Sequence, residues 1–352
     1  MSGKQLAEIF RQAAEAHQHQ RHAEAQAGYR RILQLVPAHF DVLHLLGQSL
    51  IEAGQPHDAI EWLRKAVAAN PASTDACFDL GLAQRKAGQS DQAVQSFHRV
   101  LELQPDYLKA HLSLAELKFP GERYTTLLRQ LHQWLKPANY VEIGVETGQS
   151  MALAEPRTRC VGVDPEPRIQ VALPPRCEIF AQTSDAFFAE QNLHELLGRQ
   201  PVAFAFIDGM HVFEAALRDF INIEACADPH TVVAIHDCIP LEAVTSARER
   251  TTNFWSGDVW KLIPCLKKYR PDLEIINVAT KPTGLGIITG LERGNRRLLD
   301  CYAQILEEFI PLGYNDIAER EAECLNVVAN EPAAVKAWLQ DRKSCARSVA
   351  TS

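Results

Sequence analysis

A period of 34 residues organises the first third of this 352-residue chain. Proline, alanine and glycine each recur at that spacing. The recurring positions are Pro37, Pro71 and Pro105, then Ala25, Ala59 and Ala93, then Gly47 and Gly81, and finally Gly54 and Gly88. Small residues suit places where two helices approach closely, and a proline cannot continue a helix. The period therefore predicts helix pairs that bury their apolar faces by stacking, as in an α-solenoid.

This pattern resembles the tetratricopeptide repeat. Residues 38–71 and 72–105 match the repeat well, residues 4–37 form a degraded unit, and residues 107–119 supply one further helix. The resemblance implies a concave surface for a peptide or protein partner. The alternative is a packing or self-association module with an empty groove, and the sequence does not separate the two.

Short apolar segments alternate with helical ones from residue 139 onward. Five of them read as parallel strands covered by helices on both faces. Two last apolar segments are joined by only a few residues, so they are expected to form an antiparallel hairpin. We expect a repeat domain at 1–119, a Rossmann-like α/β domain at 120–292 and a helical tail at 293–352.

A glycine turn follows the first predicted strand, in the sequence YVEIGVETGQS. Asp164 closes the next strand, sixteen residues after Gly148. An open α/β sheet uses this layout to hold a nucleoside beyond its strand ends. Glu146 would repel a pyrophosphate, whereas an acid at position 142 suits an ammonium and a sulfonium group. The segment therefore favours S-adenosylmethionine over a nicotinamide dinucleotide, with an ordinary tight turn as the third possibility.

The residues around this turn have separate predicted roles. Gly144 lets the backbone approach a ligand, Gly148 lets the following helix pack closely, and Asp164 accepts hydrogen bonds from both ribose hydroxyls. The third strand leads to Ser184, a predicted helix N-cap, and Asp185, which also suits the helix dipole. The predicted cofactor-binding residues are Glu142, Gly144, Gly148, Ser150, Asp164, Thr183, Ser184 and Asp185.

Two further acids, Asp208 and Asp237, each follow an apolar strand. Carboxylates that converge in one crevice repel each other unless a cation or a proton lies between them. Oxygen ligands suit Mg²⁺ best. His211 begins the next helix and is the predicted general base. His236, beside Asp237 on a strand, is expected to face the other side of the sheet.

Residues 251–264 are rich in aromatic and charged side chains. Trp255 and Asp258 are candidate substrate contacts, because an aromatic ring and a carboxylate suit a sugar. Trp260 is expected to pack against the sheet. Pro282, Thr283 and Gly284 are predicted to form the final hairpin, with no role toward a substrate.

The segments VEIGVETGQS, GVDP, TSDAFF, FIDGMHVFEAALRDF and IHDC, in this order, resemble family-24 class I methyltransferases, similar to the sugar O-methyltransferases that act on macrolides. The resemblance covers residues 139–290. It implies S-adenosylmethionine as cofactor and a divalent ion held by acids at the positions of Asp208 and Asp237, with His211 as base. Metal-dependent relatives can offer two acids where this chain has His236 and Asp237. A metal-free variant, in which Asp208 orients donor or substrate, therefore stays open.

These observations predict an S-adenosylmethionine-dependent O-methyltransferase for a sugar, glycan or glycosylated metabolite. Protein methylation and a non-catalytic adaptor are the alternatives. A net charge of −8 argues against nucleic acid. No apolar run reaches the roughly 20 residues of a membrane span, and a signal peptide is not evident. Nine scattered cysteines without a CxxC pair argue against structural zinc and favour a reduced, cytoplasmic protein.

Overall fold

The computed structural model describes the backbone of residues 3–349 and the side chains through residue 341. It divides into two compact units, Met1–Leu117 and Lys118–Ser352. Residues 1–2 of the predicted repeat domain and 350–352 of the predicted tail lie outside the described residues. Within residues 3–349, no helix has both the length and the apolar character needed to cross a bilayer.

Seven helices build the described part of the first unit. Their bounds are α1 Gly3–Gln18, α2 His22–Leu33, α3 Phe40–Glu52, α4 Pro56–Ala69, α5 Thr74–Lys86, α6 Ser90–Leu103 and α7 Leu108–Lys118. From α1 through to α6, each helix contacts the one before it along the chain. The repeated glycines lie where helices of one pair meet, Gly47 against Leu63 and Gly81 against Phe97. The predicted helical repeats are confirmed.

An eight-stranded mixed sheet organises the second unit, in the order β3-β2-β1-β4-β5-β7-β6-β8. The strands are β1 Asn139–Ile143, β2 Arg159–Val163, β3 Cys177–Phe180, β4 Phe204–Ile207, β5 Val232–His236, β6 Glu274–Val278, β7 Leu285–Thr289 and β8 Val327–Val328. Strands β1 to β5 pair in parallel, and β7 pairs antiparallel to both β5 and β6. The five parallel strands and the terminal hairpin are therefore as predicted.

Helices flank this sheet. They are α8 Tyr124–Leu135, α9 Ser184–Glu190, α10 Leu193–Leu196, α11 Phe213–Glu224, α12 Leu262–Tyr269, α13 Arg297–Asp300, α14 Tyr302–Phe309, α15 Glu321–Cys324 and α16 Pro332–Val349. Leu128 of α8 and Val335 and Leu339 of α16 join Phe204 and Phe206 of β4 in one buried apolar cluster. The sequence had not assigned α8 as an element, yet it covers this face of the sheet.

Two predicted elements differ from the structure. The helix expected after Gly148 is only a three-residue 3₁₀ turn, Met151–Leu153. Pro156 follows it within one turn, and a proline interrupts helical hydrogen bonding. The tail expected to be purely helical also contributes β8, whose two residues pair in parallel with β6.

Candidate functional site

The glycine turn after β1 brings neighbouring strand ends together. Gly144 has a φ of +90°, and a Cβ there would lie 2.0 Å from the carbonyl oxygen of Asp208. Its own N–H donates to Val163 at 2.8 Å, and the Asp208 N–H donates to Ile143 at 2.8 Å. A glycine is therefore required here because the loop after β4 occupies the space of a side chain.

Glu142 lies beneath the turn and is fully buried. Its carboxyl group accepts hydrogen bonds from the Tyr140 hydroxyl at 2.7 Å and from the Ser150 hydroxyl. Burial raises the pKa of Glu142 to about 8. In this arrangement Glu142 holds the turn through Ser150 and has no exposed surface for a ligand, so its predicted direct contact with the donor is not available.

Asp164 lies half-buried at the end of β2 and fixes two loops. Its carboxylate accepts the N–H of Glu146 at 2.8 Å through Oδ2 and the N–H of Glu166 at 2.8 Å through Oδ1. Each oxygen keeps a second lone pair. A ribose contact by Asp164 stays a prediction that this geometry permits. Gly148, expected to face a helix, instead packs against Ile169 and Leu173 of the following loop.

The corner after β3 contains three of the predicted cofactor-binding residues, Thr183, Ser184 and Asp185. Thr183, and not Ser184, is the N-cap of α9, so that prediction was wrong by one residue. The Ser184 hydroxyl instead hydrogen-bonds Asp219, whose pKa burial raises to about 7. Asp185 forms a two-pronged ion pair with Arg218, at 2.8 Å for each oxygen. Their contact with a cofactor stays a prediction.

The carboxyl ends of β4 and β5 bring two acids and two imidazoles together. His211 Nδ1 lies 2.9 Å from Asp237 Oδ2, and His211 Nε2 lies 3.6 Å from Asp208 Oδ1. His236 Nδ1 lies 3.1 Å from the same Asp208 oxygen, and the Thr283 hydroxyl donates to Asp237 Oδ1. Asp208, His211, His236 and Asp237 line one small cleft.

Two members of this cluster were missed by the sequence. His236 was expected to face away from the acids, but Asp237 has a φ of +59°, so the strand alternation ends there and both side chains reach one cluster. The ring of Tyr124 lies 3.9 Å from that of His236. Thr283 was assigned only to the hairpin. Thr283 lies two residues before β7, and β7 pairs with β5. A hydroxyl at this position is therefore expected beside the end of β5, and this was the available signal.

Electrostatics favour a charged imidazole in this cluster. Burial alone lowers the pKa of His211, but the charge and hydrogen bond of Asp237, together with Asp208, outweigh burial and raise it to about 9. Burial alone raises the pKa of Asp237, but the charges of His236 and His211 outweigh it, so that pKa lies below its ordinary value. The carboxylates thus stabilise a proton on His211.

Residues 255–258 fix the position of His211. The Trp255 ring stacks on the imidazole, with centroids 5.7 Å apart and planes at 16°. Gly257 has a φ of +60°, and a Cβ there would lie 1.7 Å from the His211 carbonyl oxygen. The Asp258 N–H donates to that same oxygen at 3.2 Å. This segment is therefore a support for the histidine.

Asp258 itself is 1% exposed. Its carboxylate accepts the N–H of Phe213 at 2.7 Å, at the start of α11, and the Lys261 ammonium at 2.8 Å. The structure corrects the prediction that Asp258 contacts a substrate, because both oxygens are buried and engaged. Trp260 is buried as expected. A substrate contact by Trp255 stays a prediction.

The residues present fit a divalent cation. Asp208, His211 and Asp237 each place one ligand atom within 4.8 Å of the others. Asp237 Oδ2 is buried and, apart from its contact with His211 Nδ1, has no hydrogen-bond partner among the described residues. A cation between the carboxylates would satisfy that oxygen.

Two parts of the chain match family models. Residues 141–238 match the family-24 model of a methyltransferase domain. Residues 16–80 and 78–125 match two models of the tetratricopeptide repeat. The resemblances to the tetratricopeptide repeat and to the family-24 methyltransferase domain are thereby confirmed, with the repeats preceding the methyltransferase segment.

The chain is also similar to individual proteins. The tetratricopeptide repeat and J domain-containing co-chaperone DNJ1 of Fusarium oxysporum f. sp. lycopersici is 32% identical over 87 residues, which cover 24% of this chain and 17% of that protein. A crystal structure of MamA is 24% identical, with a TM-score of 0.32, and the match covers 33% of this chain and 63% of that chain. The first tetratricopeptide repeat of Spaghetti (RPAP3), bound to an HSP90 peptide, is 19% identical, with a TM-score of 0.32 and coverages of 33% and 93%. This chain thus spans about a sixth of the curated relative's length.

Proposed function

We propose that this protein is an S-adenosylmethionine-dependent O-methyltransferase that methylates a hydroxyl of a sugar, glycan or glycosylated metabolite. The observation that carries the proposal is the meeting of Asp208, His211 and Asp237 beside the glycine turn. This meeting lies inside the segment that matches a methyltransferase domain. A weakly acidic hydroxyl needs such a group of a base and carboxylates.

The donor side of the site is the turn after β1. When bound, S-adenosylmethionine supplies an electrophilic methyl group. Asp164 has lone pairs left for ribose hydroxyls, and Ser184 and Asp185 lie at the neighbouring corner. Glu146 is exposed in this turn, and its carboxylate would repel a pyrophosphate.

The acceptor side is the cluster of acids and imidazoles. His211 Nδ1 is engaged by Asp237 and by the Trp255 carbonyl oxygen at 3.2 Å. Because the pKa of His211 is raised to about 9, most of this imidazole is charged at neutral pH, and the base is its neutral fraction, in which the proton stays on Nδ1 and Nε2 is the proton acceptor. The hydroxyl proton passes to Nε2, and Asp237 stabilises the resulting imidazolium. A divalent ion at Asp208 and Asp237 would lower the pKa of a bound hydroxyl.

The repeats are proposed to recruit a protein partner or to join copies of the chain. Tetratricopeptide repeats present a helical surface of the kind that binds peptides. The repeats then serve delivery or assembly, and the chemistry belongs to the second unit.

Labelled donor tests the proposal directly. The protein is incubated with donor and three acceptor classes, namely glycosides, their aglycones and peptides, and products are read by mass. Methylated glycosides are expected for the parent and for Glu195→Gln, a matched change of an exposed acid. Asp208→Asn should lose them. Label on peptides would indicate protein methylation. If calorimetry shows no donor binding, the non-catalytic adaptor would be the remaining alternative.

A further inference from the structure

Three polar residues of the repeats converge at one end of the first three helices. His17 lies in the last turn of α1, His22 begins α2, and Glu52 ends α3. Only three residues, 19–21, connect α1 to α2. The imidazoles therefore face the same carboxylate from both sides of a turn.

Their spacing is that of ligands around one ion. His17 Nε2 lies 3.0 Å and His22 Nδ1 3.8 Å from Glu52 Oε2, and the three atoms all lie within 4.8 Å of one another. Ligands about 2.1 Å from a tetrahedral zinc ion are about 3.4 Å apart. The observed distances bracket that value, so a small adjustment of side chains completes the triangle.

The electron pairs needed for ligation are available. His22 Nδ1 is buried and has no hydrogen-bond partner among the described residues. His17 keeps its other nitrogen, Nδ1, 3.3 Å from the hydroxyl of Tyr29, a fully buried residue. A metal-bound histidine commonly has such a partner on its second nitrogen, which orients the ring.

A simple ion pair explains the cluster less well. The repeats contain a plain pair for comparison, His44 Nε2 with Asp79 Oδ2 at 2.7 Å. There Gln48 also donates to the same oxygen at 2.8 Å, so the pair is complete without another group. At Glu52 a second imidazole presents a nitrogen, His22 Nδ1, that has no hydrogen-bond partner among the described residues.

We propose that His17, His22 and Glu52 bind a transition-metal dication of the zinc type, with water as the fourth ligand. Two imidazoles and one carboxylate suit such ions, whereas Mg²⁺ and Ca²⁺ prefer oxygen alone. The absence of a CxxC pair argued against zinc only where cysteine is the ligand. The bound ion clips three helices together and stabilises the folded repeats.

Zinc titration of the untagged full chain tests this site. Stoichiometry and affinity are measured by calorimetry, with Co²⁺ absorption as the spectroscopic readout. One equivalent should disappear, or bind at least about tenfold more weakly, in His22→Ala and in the conservative Glu52→Gln. Tyr29→Phe should weaken binding by about tenfold while keeping the stoichiometry.

Two control variants make the result specific. His44→Ala breaks the plain pair and should leave zinc binding unchanged, and circular dichroism confirms that each variant is folded. Asp237→Asn should also leave this equivalent intact, because its cluster lies in the second unit. The proposal is overturned if the parent binds no zinc at these residues, or if Glu52→Gln retains the full stoichiometry and affinity.

Discussion

His132 is buried between aromatic rings without a polar partner. It is 1% exposed, and neither ring nitrogen has a hydrogen bond among the described residues. Its ring meets those of Tyr140 and Phe204 edge-on, with centroids 4.6 Å and 5.0 Å away. Burial lowers the pKa of His132 to about 4. The folded state thus holds this imidazole neutral in a range where the unfolded chain takes up a proton.

This difference predicts a loss of stability in mild acid. An unfolded histidine has a pKa of about 6.5, so the unfolded state binds more protons between that value and about 4, and stability falls as the pH falls. From about pH 7.5 to about pH 5 the loss due to this group is about 2 kcal/mol. Urea unfolding at both pH values should show a smaller loss in His132→Phe, and equal losses would contradict the assignment.

His211 is the residue on which turnover should depend most. We expect His211→Gln to lower the turnover number by a factor of about 10² to 10⁴, because the acceptor loses its base. Donor affinity in calorimetry should stay close to that of the parent. Asp164→Ala should instead weaken donor affinity more than it lowers the turnover number. Full activity of His211→Gln would remove it as the base.

At the scale of single residues, the sequence predicted the positions of the two acids better than those of the residues next to them. Asp208 and Asp237 could be placed together because the ends of parallel strands share one edge of a sheet. His236 could not, because strand alternation assumes a regular backbone and Asp237 leaves it. The partners of Glu142 also needed the fold, since Ser150 returns to it only through the shape of the turn.

Among the elements, residues 255–258 matter because they hold His211 in place. Gly257→Ala should lower both stability and turnover, since a new Cβ would displace the His211 backbone. Gly294→Ala is the matched control: its φ is +88°, but nothing lies within 4 Å of an added Cβ. The control should lose only about 1–2 kcal/mol for the left-handed backbone and keep its turnover. Thermal unfolding and labelled-donor assays compare the two, and equal turnover would refute the supporting role.

Element prediction succeeded where apolar runs were long enough to count. The five parallel strands and the hairpin are such runs, whereas β8 has two residues, too few for any period. The helix after β1 was expected from the usual strand–helix alternation, but Pro156 leaves room only for a 3₁₀ turn. Helix α9 was placed correctly, and the cap moved by one residue, a normal uncertainty at helix ends.

On the scale of the whole molecule, two candidate ion sites lie in different units. The cluster of Asp208, His211 and Asp237 belongs to the second unit, and that of His17, His22 and Glu52 to the first. Their ligand sets also differ in preference, because only the former can offer two carboxylates. Removal of metal should therefore have separable effects.

We expect a chelator to abolish methyl transfer and Mg²⁺ to restore it. Restoration should be equal in the parent and in His22→Ala, because the zinc-type site takes no part in the chemistry. Asp237→Asn should not be restored. Turnover that is indifferent to the chelator would instead support the metal-free variant, in which Asp208 orients donor or substrate.

The contact between Gly144 and the carbonyl oxygen of Asp208 also limits how this protein can diverge. A lineage that keeps the 208 loop in place can accept no other amino acid at 144, since even alanine has no room. Gly54 and Gly88 face open space and lack that steric restriction, although their φ values of +72° and +76° still favour glycine. A substitution at position 144 would therefore indicate descendants that have lost the chemistry. A substitution at position 54 or 88 would not indicate this.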